Sequence, residues 1–112
     1  MTMPDNRIPF PRRDRGLLLS ETDHAFLLDI IGPFQGREVQ DLLQRAVAVT
    51  GGRRIVGTDD ELDRLLAAVD IEANGFLRVE SERAGRELRK PQRGGNAERL
   101  RRLADQIENH LS

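Results

Sequence analysis

Side chains able to do covalent or acid–base chemistry are sparse and scattered in this chain. Its two histidines, His24 and His110, stand far apart, and there is no cysteine. Hydroxyls are limited to Thr2, Ser20, Thr22, Thr50, Thr58, Ser81 and Ser112. Of these, Ser20 and Thr58 stand where helix N-caps are needed. The acidic pairs Asp59/Asp60 and Asp70/Glu72 fall at expected helix ends, where structure already explains them. No phosphate loop, G-x-G-x-x-G or H-E-x-x-H occurs. Catalysis needs a positioned nucleophile, base or metal. The sequence therefore points away from an enzyme.

The stretch Thr58 to Glu82 is the most patterned part of the chain. Thr58 followed by Glu61 is a capping box, in which hydroxyl and carboxylate satisfy each other's amides. Asp59 and Asp60 place negative charge in the first turn, which the helix dipole favours. Leu62, Leu65, Leu66 and Val69 recur at helical spacing and form one apolar face. Asp70, Glu72 and Asn74 then alternate up to Gly75, Phe76 and Leu77, and the Asn-Gly pair predicts a turn.

That order resembles an EF-hand, the helix–loop–helix calcium module. The resemblance implies a loop starting at Asp70, with oxygen ligands at alternate positions and Gly75 at the sharp turn. Asp70, Glu72 and Asn74 would ligate through side chains, Phe76 through its carbonyl, and Glu82 near the closing position. Leu77 would join a short strand between paired loops. The twelfth position is Ser81 and the ninth is Arg78. Fewer carboxylate oxygens and an added cation imply weak calcium binding or none.

A third of the residues are charged, and the basic ones are Arg except for Lys90. The formal net charge of −1 gives no whole-molecule attraction to nucleic acid or membrane. With four Phe, no Trp and no Tyr, the core must be built from Leu, Ile, Val and Ala. The lack of Cys excludes disulfides and thiolate zinc sites. No apolar run suits a membrane span or a signal-peptide core, so a soluble, cytoplasmic protein is expected. Acids dominate between Ser20 and Leu77. The later segment is basic through Arg78, Arg83, Arg86, Arg89, Lys90, Arg93, Arg99, Arg101 and Arg102.

Taken in order, residues 1–16 form a Pro- and Arg-rich arm. Residues 17–90 are expected to be a helical, EF-hand-like domain. Ser20 caps a first helix that Gly32-Pro33 stops. A second helix runs from about Arg37 to Val49 and ends at Gly51-Gly52. Arg53 to Val56 reads as a short strand or a linker. The Thr58 helix, the Asn74-Gly75 turn and a helix over Ser81 to Lys90 complete a second hairpin. Residues 91–112 supply a linker and a helix capped by Asn96, with the stripe Leu100, Leu103, Ala104, Ile107 and Leu111. The fold class expected is mainly α: a small single-domain bundle of two helix–loop–helix hairpins plus a C-terminal helix, with a short two-stranded β contact.

The function expected is a non-catalytic protein–protein interaction or regulatory module, with a protein partner and no membrane. The stripe over 96–111 folds back on the domain or pairs two copies as a homodimer. One alternative is a calcium-responsive EF-hand protein. Another is a winged-helix nucleic-acid binder, with Phe76 to Val79 as a wing and Arg83, Arg86, Arg89 and Lys90 neutralising phosphates.

Overall fold

The computed structural model describes residues 16–31 and 36–112. The expected arm over residues 1–16 lies outside them except for Gly16, which begins a strand, and residues 32–35 lie outside them too. The chain divides into two compact units, residues 1–62 and 63–112. Among the described residues it is mainly helical, with four helices and one three-stranded antiparallel sheet.

In the first unit, β1 (Gly16–Leu19) leads into α1 (Glu21–Ile30), α2 (Arg37–Gln44), β2 (Val47–Val49) and β3 (Gly52–Val56). Ser20 caps α1 as expected, its Oγ accepting from the Asp23 amide at 3.1 Å. The sheet order is β1-β3-β2, so β3 is paired on both sides. Leu17 stands opposite Ile55, and all of Leu17, Leu19 and Ile55 are buried. The helices contribute Leu27, Ile31, Val39, Leu42 and Leu43 to the buried set.

The second helix is shorter than expected. It ends at Gln44, and Val47–Val49 is a strand. Two valines in three residues, followed by Thr50-Gly51-Gly52, fit a hairpin better than a helix end. Val49 pairs with Gly52, which leaves Thr50 and Gly51 as a two-residue loop. Such loops need positive φ, and Gly51 supplies it at +91°. The first half is thus a sheet with helices and not a helical hairpin.

The larger correction concerns α3 (Asp59–Ala84). It begins in the first unit and runs without a break through Asn74 and Gly75. The Thr58–Glu61 capping box forms as expected: the Glu61 amide donates to Thr58 Oγ1 at 3.1 Å, and the Thr58 amide donates to Glu61 Oε1 at 2.9 Å. Burial then continues at helical spacing through Leu62, Leu65, Val69 and Ala73, with Phe76 half-buried. That repeat carries the helix past the turn-like pair, which lies on the exposed side. Mid-helix Gly costs about 1 kcal/mol relative to Ala, less than a long packed face supplies. Because a Cβ at Gly75 would meet nothing within 4 Å, Gly75→Ala should raise stability by about 0.5–1 kcal/mol. Thermal melts followed by circular dichroism would show it.

The helix expected over Ser81 to Lys90 is likewise replaced by a helix end. Gly85 has φ +71°. The Gly85 amide donates to Glu82 O, and the Arg86 amide to Ser81 O, both at 3.2 Å. This is the Schellman pattern that closes helices at glycine. The following segment is held by side chains: the Leu88 amide donates to Ser81 Oγ, and the Gln92 amide to Glu80 Oε1, at 3.0 Å each. The last helix, α4 (Asn96–Leu111), is capped by Gly95, one residue before the expected Asn96. Ala97, Leu100, Leu103, Ala104 and Ile107 are buried within the single chain. Of the stripe proposed for a homodimer through 96–111, Leu100, Leu103, Ala104 and Ile107 are therefore already covered, and Leu111 is half-buried.

Candidate interaction surface

The expected calcium ligands do not converge. Asp70, Glu72, Asn74, Phe76 and Glu82 all lie on α3. A helix turns by about 100° and rises about 1.5 Å per residue, which scatters them around the axis and puts Asp70 and Glu82 about 18 Å apart along it. Calcium needs its oxygens within about 2.6 Å. Among the described residues, no group of three or more acidic or histidine side chains could hold a metal.

The proposed nucleic-acid residues are dispersed too. Phe76 to Val79 is helix and not a wing. Arg83 lies in the last turn of α3, whereas Arg86, Arg89 and Lys90 follow the helix in irregular chain. All four are exposed. An open groove of about 460 Å³ runs beside this helix end, with Arg78 and Arg86 balanced by Glu82 and Glu87. Mixed charge of this kind does not select an anion.

The sheet offers a more defined surface. Leu18, Arg54 and Val47 are register partners in one row across the three strands. Adjacent strands are about 4.8 Å apart, so the three side chains form a row about 10 Å wide on the face opposite Leu17 and Ile55. Leu18 is 44 % and Val47 53 % exposed. A Cβ at Gly16 would fall 2.1 Å from Arg54 Cγ and 2.2 Å from Cδ. The Arg54 stem therefore lies flat over Gly16, beside the half-buried Val56 that Gly16 pairs with. The stem of this long cation lies against the sheet between apolar neighbours.

Sequence reasoning missed this row, although a signal was present. Leu17-Leu18-Leu19 cannot turn three consecutive side chains into one core if it is a strand, because alternate residues face opposite ways. The middle leucine has to point outward.

Two polar links stiffen the scaffold behind the face. Arg45, at the end of α2, donates to both Glu61 carboxylate oxygens at 2.8 Å and to Val56 O at 3.3 Å. His24 is buried. Its Nε2 stands 2.7 Å from Leu43 O. A carbonyl only accepts, so Nε2 carries the proton and the ring ties α1 to α2.

Hydrogen bonding to Arg45, then to the Thr58 amide, holds the Glu61 carboxyl below its ordinary value. Its folded pKa lies below the unfolded one, so this contribution is complete above about pH 5 and is lost as pH falls through the folded value. Arg45 and Glu61 remain 47 % and 37 % exposed, which limits the pair to under about 1 kcal/mol. Glu61→Gln keeps a cap acceptor but removes the charge. It should lower the melting temperature slightly at pH 7 and converge with the parent as pH falls below the folded value.

Compared with protein-family models, with curated proteins and with solved structures, the chain matches none.

Proposed function

We propose that this protein is a non-catalytic protein–protein interaction module whose docking surface is the outer face of the three-stranded sheet. The observation that carries the reading is the row Leu18–Arg54–Val47, with Arg54 laid flat over Gly16. Two exposed aliphatic side chains supply area whose burial is favourable at about 25 cal/mol per Å². The guanidinium between them supplies direction, since a planar cation pairs best with a carboxylate. The partner that fits is a protein segment presenting an acidic side chain flanked by apolar ones.

Photo-crosslinking from position 47 in the native host tests this. A discrete protein adduct is expected, abolished by Arg54→Glu, with no adduct from the exposed Asp105 position on α4. An adduct that survives Arg54→Glu, or none at all, overturns the reading.

Nucleic-acid binding is a second reading, favoured by the element order of the first unit. Strand, two helices and a following hairpin is the order of a winged helix, with β2–β3 as the wing. Charge weighs against it, because exposed Glu38 and Asp41 on α2 would meet phosphate where a recognition helix enters the groove. Salt-dependent binding of duplex DNA, lost on replacing Arg53 and Arg54 of the β2–β3 hairpin by Ala, would favour this reading over the first.

A further inference from the structure

The glycine in the middle of α3 is unexplained by anything inside the chain. Gly75 sits on the exposed side, and a Cβ there would meet no atom within 4 Å. The missing side chain makes no room for a neighbour in this chain, yet it costs the helix about 1 kcal/mol. One turn before it stands Ile71, a large aliphatic residue 58 % exposed. A helix that presents a bulky apolar residue and a gap on one stripe has the two halves of a knob-and-hole contact.

We propose that α3 is a self-association helix, along which two copies of this chain pair antiparallel with Ile71 of each seated over the partner's Gly75. The inference concerns α3 and does not depend on the sheet-face reading. Facing residues in an antiparallel pair have numbers with a constant sum. The register that sets Ile71 on the partner's Gly75 therefore also sets Ala67 against the partner's Val79. Ala67 is exposed, and Val79 is 41 % exposed. The same register sets Arg64 against the partner's Glu82, and by symmetry this happens twice. Asp63 and Arg83, both exposed, flank the seam on opposite chains. The charged residues set directly opposite each other in this register are of opposite sign, and Arg78 falls opposite Ala68, which is buried in its own chain. A parallel pair would oppose Arg78 to Arg78 and Glu82 to Glu82, which is unfavourable in a water-excluded seam. Charge thus selects a second copy, and selects the antiparallel arrangement of it.

The full chain, studied by sedimentation equilibrium over a concentration series, tests the inference. The parent is expected to dimerise. Ile71→Asp should weaken the dimer by at least about tenfold, as removal of a central anchor does. Gly75→Leu should weaken it as much while leaving helical circular dichroism equal or higher, which separates a blocked seam from lost folding. Glu82→Arg alone should weaken association, and Arg64→Glu added to it should restore association. The chain has no Cys, so a single spin label can be placed at position 63. A 20-residue offset at about 1.5 Å per residue predicts a label pair about 30 Å apart, against about 10 Å for a parallel pair. A chain that stays monomeric, a dimer indifferent to Ile71→Asp and Gly75→Leu, or a label distance near 10 Å each overturns the proposal.

Discussion

Truncation of Ile55 to Ala is expected to lower stability by about 2–5 kcal/mol, the range for emptying a fully packed aliphatic site. Ile55 is fully buried. It lies in β3, the one strand of the sheet with a partner on each side, opposite the buried Leu17. Its loss therefore opens a cavity where two layers of side chains meet, and the flanking strands cannot close it without shifting register. Domains of this size are stable by only about 5–15 kcal/mol, so the variant should be near the edge of folding. Urea unfolding gives the value directly. The neighbouring Arg54→Ala, on the opposite face, should change stability by no more than about 0.5 kcal/mol. Equal losses at 54 and 55 would mean that the two faces have been assigned wrongly.

The second large effect is at Gly52, where replacement by Ala should cost about 2–4 kcal/mol. Two causes add. The backbone has φ +148°, within the range that side chains avoid. A Cβ would also stand 2.0 Å from Leu19 O and 3.0 Å from Ser20 Cα. Those are main-chain atoms, so no rotamer change relieves the clash, and β1 would have to move away from β3. Gly51→Ala is the control: it has φ +91° but open space around it, so only the backbone cost of about 1–2 kcal/mol applies. The difference between the two variants in chemical denaturation measures the close approach alone. Amide shifts at Leu19 and Ser20 in NMR spectra should move for Gly52→Ala and stay put for Gly51→Ala.

Local chemistry was the readable part of this chain. Ser20 and the Thr58–Glu61 pair were legible because each cap closes within four residues of sequence. The apolar stripe from Leu62 to Val69 was legible for the same reason. The errors arose where a short-range signal competed with a longer one. Asn74-Gly75 has the composition of a turn, but the spacing of Val69, Ala73 and Phe76 continues across it, and tertiary burial outweighs the propensity of two residues. At Val47–Val49 an apolar run fitted either a helix end or a strand, and the choice depended on pairing with Arg54, Arg53 and Gly52. No local rule shows such a partner. The sheet-face row was hidden for that reason: Leu18, Arg54 and Val47 come together only through strand order and register.

The Arg45 bridge has a consequence for how the protein breathes. One guanidinium holds the last carbonyl of β3 and the carboxylate that caps α3. The opening turn of α3 is therefore tied to the corner between α2 and β3. Arg45→Ala should speed deuterium uptake at the Glu61 and Leu62 amides by up to about fivefold while Ile55 stays protected.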